Sequence, residues 1–178
     1  MEMVAIRKSK FVTIMNWEET INFVKQIPYG RNLNREDFSL IISENKGTCS
    51  SKHAYLKDFA TKNNIPNVQL IIGIYKMNQT NTNIGKILSE NALEYIPEAH
   101  CYLKINNQTV DVTSKESDFE KLKNDLLEEI EIEPYQVADF KVNYHQKFIK
   151  NWLKETNAKV SFEEIWKIRE MCIEKLSI

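Results

Sequence analysis

Pro97-Glu98-Ala99-His100-Cys101-Tyr102-Leu103-Lys104-Ile105-Asn106-Asn107-Gln108-Thr109-Val110-Asp111-Val112-Thr113 reads as a two-stranded antiparallel hairpin. Asn106 and Asn107 are its turn, because asparagine tolerates positive φ better than most residues. With these two as the loop, Ile105 faces Gln108, Leu103 faces Val110, Tyr102 faces Asp111 and Cys101 faces Val112. Side chains alternate between the faces of a strand. Cys101, Leu103, Ile105, Val110 and Val112 therefore share an apolar face, and His100, Tyr102 and Asp111 share the other. His100 and Asp111 are then diagonal neighbours, about 7–8 Å apart at the backbone, which leaves room for a carboxylate to reach an imidazole. A loop longer by two residues keeps this parity, and a loop longer by one reverses it.

Upstream lies Lys46-Gly47-Thr48-Cys49-Ser50-Ser51-Lys52-His53-Ala54. The spacing predicts an amphipathic helix from Cys49 to about Asn63, with Cys49, His53, Leu56 and Ala60 on one face and Phe59 beside them. Asn63-Asn64 ends it and Pro66 blocks its continuation. A cysteine in the first turn of a helix meets unpaired backbone N–H groups and a favourable dipole, both of which support a thiolate. A helix-borne cysteine followed in order by His100 and Asp111 is the set that nucleophilic thiol catalysis needs.

The neighbouring residues carry plainer readings. His53, one turn after Cys49, is either a rival base or a hydrogen-bonded residue packed under the helix. Lys52 either adds positive potential near Cys49 or is a solvated side chain. Cys101 and Cys172 are core positions. His145 is exposed or a local partner among the C-terminal helices. A zinc site from Cys49, His53, His100 and Cys101 is set aside, since adjacent strand residues point to opposite faces. The cysteine run also lacks the arginine that a cysteine-phosphatase loop needs to hold phosphate.

The rest of the chain frames these elements. Asn16 followed by Glu18 and Glu19 marks a helix start, and Trp17, Ile21 and Val24 give it a stripe that stops before Pro28. Residues 29–37 read as a polar loop, and 38–42 as a brief strand or helical turn. Val68 to Tyr75 is β-branched and reads as a strand. Residues 78–83 are a loop, and 84–95 hold a short helix. After Ser114 the chain reads as helical. Leu122, Leu126, Leu127 and Ile130 mark one segment ended by Pro134. Phe148, Ile149, Trp152 and Leu153 mark a second. Phe162 to Ile173 forms a last helix opened by a Ser161/Glu164 capping box. The fold class is α+β, in a single domain over 1–178 with a core at about 38–113 and a C-terminal helical extension at about 114–178.

Composition bounds the partners. The 178 residues suit one domain, and the hydrophobic share of 42% and charged share of 28% suit a globular one. A formal charge of −1 argues against a general nucleic-acid binder. The three cysteines are widely spaced, which fits a reducing compartment better than a disulfide framework. Met3-Val4-Ala5-Ile6 and Phe11-Val12-Thr13-Ile14-Met15 are divided by Arg7, Lys8 and Lys10, so neither a leader nor a membrane span is read there. The expected location is cytoplasmic, with no membrane partner, no metal and no cofactor.

Gly47-Thr48-Cys49 at a helix start, Ala99-His100 on a strand and Val110-Asp111-Val112-Thr113 on its hairpin partner resemble the transglutaminase-like superfamily of papain-like cysteine enzymes. The resemblance covers about residues 38–113. It implies a nucleophile helix packed on an antiparallel sheet, with extra N- and C-terminal helices around that core. It also implies Cys49 as nucleophile, His100 as general base and Asp111 as the carboxylate that orients it; by their positions alone, Tyr102, opposite Asp111 and placed to buttress it, and His53, one turn after Cys49, are the candidate supporting residues. The activity it implies is acyl transfer or amide hydrolysis through a thioester, on a peptide, protein or small amide. Two features depart from relatives: Thr48 and Ser50 flank the cysteine where animal transglutaminases commonly carry tryptophan, and no upstream glutamine stands out as an oxyanion donor. The competing expectation is a binding module that keeps the fold without the reaction. An open cleft at Cys49 distinguishes the enzyme, and a cleft plugged by a large side chain the module.

Overall fold

The computed structural model describes residues 5–8 and 11–14 as backbone and residues 16–176 in full. Met3, Val4 and Met15, from the apolar groups noted in the sequence, lie outside the described residues. Strands β1 (Ala5–Lys8) and β2 (Phe11–Ile14) pair antiparallel. Helix α1 (Trp17–Gln26) follows, opened by the reciprocal Asn16/Glu19 capping box. After a single helical turn, α2 (Leu40–Ser43), comes the helix that starts at Cys49, α3 (Cys49–Lys62).

A four-stranded antiparallel sheet forms the centre of the described fold. Its middle strands are β3 (Val68–Met77) and β4 (Ile96–Ile105), joined through the short helix α4 (Ile87–Glu90). On the outer side of β4 lies β5 (Gln108–Val110), with Leu103 opposite Val110 and Ile105 opposite Gln108, the register read from the sequence. Asn106 and Asn107 adopt φ of 50° and 65°, the left-handed conformation that a two-residue hairpin turn requires.

The other edge strand corrects the sequence reading. The segment taken as helical around Leu126, Leu127 and Ile130 contains only one turn of helix, α5 (Glu120–Lys123), and then strand β6 (Leu126–Ile132). Ile130 pairs with Ile72 and Ile132 with Leu70. Ile130 and Ile132 alternate with exposed Glu129 and Glu131, a period of two suited to a half-covered edge. The region after Ser114 is thus not a purely helical extension, since it supplies one strand of the sheet. Beyond β6 a 3₁₀ turn (Pro134–Val137) leads into α6 (Asp139–Glu155) and α7 (Phe162–Lys175), the last opened by the expected Ser161/Glu164 box.

Two clusters of apolar side chains flank the sheet. Leu70, Ile72, Ile74, Cys101 and Leu103 pack with Val24 of α1 and with Ala54, Leu56 and Ala60 of α3. Tyr75, Met77 and Ile96 pack with Leu88 of α4, Ile149 of α6, and Ile165 and Cys172 of α7. Each fully buried Leu or Ile contributes about 1.5–3 kcal/mol relative to exposure, so helix α3 is fixed firmly to its neighbours. That helix is less amphipathic than its sequence suggests: Ser51, Lys52, His53, Ala54, Tyr55 and Leu56 are all buried in succession. The cause is contact with β4, α1 and the 3₁₀ turn together. Among the described residues no helix is long and apolar enough to cross a membrane.

Candidate active site

Cys49 is the first residue of α3. Thr48 caps the helix, its hydroxyl accepting from the Ser51 N–H while the Ser51 hydroxyl accepts from the Thr48 N–H. The approach to this cap is tight. A Cβ on Gly47 would come within 2.8 Å of both Ile41 Cγ2 and Lys52 Cγ, so only glycine fits. Gly47 also bonds to the chain at Pro28 and Gly30, forming a parallel bridge with Tyr29. The geometry that aims Cys49 is therefore set by backbone, before any side-chain chemistry.

His100 comes from β4 and Asp111 from just beyond β5. His100 Nε2 lies 2.8 Å from Asp111 Oδ2, and Asp111 Oδ1 accepts from the Thr113 N–H at 2.9 Å. With Nε2 engaged, Nδ1 is the ring nitrogen left for Cys49. Burial alone would lower the His100 pKa, but Asp111 and Cys49 reverse this and push it up to about 10. Burial would likewise raise Asp111; the His100 ring outweighs it and holds the carboxyl well below the usual range. Cys49 is held well below an ordinary thiol, first by a hydrogen bond from the Cys101 thiol and then by Lys141 and His100, against the cost of burial. These directions favour a thiolate on Cys49 and an imidazolium on His100, with the Asp111 carboxylate behind it.

His53 takes the second of its two readings. Its Nδ1 is 2.7 Å from the Cys49 carbonyl and its Nε2 accepts from the Val112 N–H at 2.9 Å. These partners require a neutral ring protonated at Nδ1, and burial pushes its pKa down to about 4. A histidine without a free nitrogen cannot be the base; it ties the start of α3 to the segment that carries Asp111. Tyr102 supports the site by another route than expected. Its hydroxyl donates to Glu129 rather than to Asp111, while its ring lies 6.0 Å from that of His100. Gly73, paired opposite His100, makes room for that ring, since a Cβ there would stand 2.8 Å from Tyr102 Cε1.

Lys52 departs from its solvated reading, and His145 from both of its readings. Lys52 is fully buried, not solvated, and its ammonium donates to the carbonyls of Ile27 at 2.7 Å and Thr113 at 2.9 Å. His145 is neither exposed nor confined to the C-terminal helices. It is buried, with Nε2 2.8 Å from the Pro97 carbonyl of β4. Cys101 is in the core as expected, yet its sulfur lies 3.8 Å from Ser50 Oγ, in the first turn of α3. Cys172 is buried in the second cluster, as read.

No sequence signal marks the opposite wall. Lys141 of α6, nearly buried, places its ammonium 3.6 Å from Cys49 Sγ and 2.8 Å from Ser50 Oγ. Glu98 of β4 is buried too, and Arg169 of α7 grips it through Nε at 2.7 Å and Nη2 at 2.6 Å. Lysines at helical spacing give no signal of burial; a lone Lys on a helix is ordinarily solvated. Between this wall and the His100 and Asp111 side chains lies an open cavity of about 860 Å³, lined by Cys49, His100, Asp111, Lys141, Glu98 and Tyr29 among others. Among the described residues no group of three or more His, Cys, Asp or Glu side chains is placed to hold a metal ion. In comparisons with known proteins, the chain matches no family model, no curated protein and no solved structure.

Proposed function

We propose that this protein is a transglutaminase-like cysteine enzyme of the papain-like kind, which transfers or hydrolyses an acyl group through a thioester on Cys49. The observation that carries the reading is the His100–Asp111 bond beside a cysteine at a helix N-terminus, with all three lining one cavity. The Cys49 thiolate attacks an amide carbonyl, and the N–H of Cys49 at the start of α3 is placed to donate to the oxyanion. His100, already protonated, gives its proton to the leaving amine as the tetrahedral intermediate collapses to the thioester. Water or a second amine then attacks that thioester, with neutral His100 taking the proton. Asp111 holds the ring orientation and favours its charged form. The substrate class of this reading is a small amide, or a peptide or protein that places one acyl group in the cavity.

The open cavity favours an enzyme over a binding module, which has no need of a low-pKa thiol at its floor. The test is acylation by p-nitrophenyl acetate followed by intact-mass and peptide analysis. A thioester confined to Cys49, released by hydroxylamine and absent in Cys49→Ala and His100→Ala, is the expected result. Cys101 and Cys172 should stay unmodified, because both are fully buried and burial raises both thiols. Acylation no faster than that of a free thiol of matched pKa would reject the enzyme reading.

A further inference from the structure

Lys141 sits where the local rules disfavour it. It is the third residue of α6, in a first turn whose dipole repels cations, and it is almost wholly buried. Lys52, the other buried lysine at the site, is fully used by two carbonyls. Lys141 is not: one proton goes to Ser50 Oγ at 2.8 Å, and its remaining reach is toward Cys49 Sγ at 3.6 Å, across the cavity edge. A buried ammonium at a helix start, facing a sulfur and an open cavity, is a local cost that function explains better than packing.

We propose that Lys141 is the second oxyanion donor, its ammonium acting beside the backbone N–H of Cys49. This rests on the thioester reading above. A reacting carbonyl must lie about 3 Å from both its nucleophile and its oxyanion donors. An ammonium 3.6 Å from the sulfur meets that condition, because the oxyanion forms two bonds from Sγ on the cavity side. The charge bookkeeping agrees. During attack the S–C bond forms, the carbonyl π pair moves to oxygen, and the negative charge passes from sulfur to oxygen within reach of the same cation. Ser50 anchors the ammonium so that it does not follow the sulfur alone. Burial would favour neutral Lys141, yet its pKa is raised; with Cys101 a neutral thiol, the charges that oppose burial are the Cys49 thiolate and the Glu98 carboxylate.

The test compares two reagents on one thiolate. Iodoacetamide alkylates sulfur without forming an oxyanion, whereas p-nitrophenyl acetate acylates through one. Both rates are measured on their high-pH plateaus, where Cys49 is fully ionised in every protein. Lys141→Met should slow acylation by about 10²–10³, the usual loss for one oxyanion donor, and leave alkylation within about threefold. Lys141→Gln, a neutral donor, should recover part of the acylation. It also carries the comparison alone if Lys141→Met fails to fold by circular dichroism. Equal losses in both reactions would mean that Lys141 only organises the thiolate, and unchanged acylation would mean no role; either overturns the proposal while the triad stands. A wild-type protein that alkylates at Cys49 but does not acylate would instead remove the thioester reading, and this one with it.

Discussion

The helix side and the strand side of Asp111 each present an imidazole to the same carboxylate, and the two rings end in opposite states. His100 on β4 meets Oδ2 at 2.8 Å and is pushed up to about 10; His53 on α3 lies 3.7 Å from Oδ1 and is pushed down to about 4. Burial depresses both. What separates them is the second partner. His53 spends both nitrogens on backbone, a carbonyl at one end and an N–H at the other, which fixes a neutral tautomer. His100 faces a thiol instead, which can give up a proton to it. Nearness to a carboxylate does not by itself charge a histidine; the donors and acceptors already in place decide it.

The largest way to break the comparison is Asp111→Asn, which keeps shape but can impose the wrong tautomer on His100. Acylation kinetics should fall by about 10⁴, following the serine-protease precedent, with Cys49 still present and the fold intact by circular dichroism. A loss below tenfold would make Asp111 a bystander. His53→Ala should do the reverse. It strands the buried Val112 N–H and leaves a cavity, for a loss of about 2–4 kcal/mol in urea unfolding, while the acylation rate at 25 °C changes by less than about tenfold. If activity instead collapses while stability holds, the two roles are exchanged.

Gly73→Ala probes the strand side from beneath. The new Cβ would press on the Tyr102 ring, costing about 1–3 kcal/mol and disturbing the surface against which His100 rests. Tm by calorimetry checks it.

The pH dependence is the gentlest test. His100, raised, contributes stability that is full below its unfolded pKa of about 6.5 and lost as pH rises toward 10; Cys49, lowered, contributes stability that is full above about 8.5 and lost as pH falls. Between about 6.5 and 8.5 the pair binds as many protons folded as unfolded, so its contribution is flat there. Outside that window it declines at up to about 1.4 kcal/mol per pH unit. The Tm difference between wild type and the double variant Cys49→Ala/His100→Gln, which removes both members of the pair, should therefore form a plateau with two falling sides. A monotonic curve would mean that the pair is not ionised.

The strand side was the legible one. Alternation and an Asn-Asn turn are local signals, and together they set the register that brings His100 to Asp111. The glycine-led cap of α3 was readable for the same reason. β6 was not, because Leu126, Leu127 and Ile130 also satisfy a helical spacing, and only pairing with β3 decides between periods. The burial of Lys52, Lys141 and His145 was not legible, on other grounds. A charged letter in a helix says nothing of what lies over it, and their partners sit 25 to 92 residues away along the chain.

Those long separations govern when the protein becomes reactive during its own synthesis. Cys49 leaves the ribosome well before Cys101, His100 and Lys141, the last of them 92 residues downstream. Chains grow at about 5–20 residues per second, so for several seconds the nascent polypeptide carries an ordinary, mostly protonated thiol. Electrophiles and stray acyl groups meet a poor nucleophile until the far wall has been translated and docked. On the thioester reading, reactivity is thereby delayed until α6 has been made, and a truncated product ending before α6 would carry Cys49, His100 and Asp111 without the cation beside them.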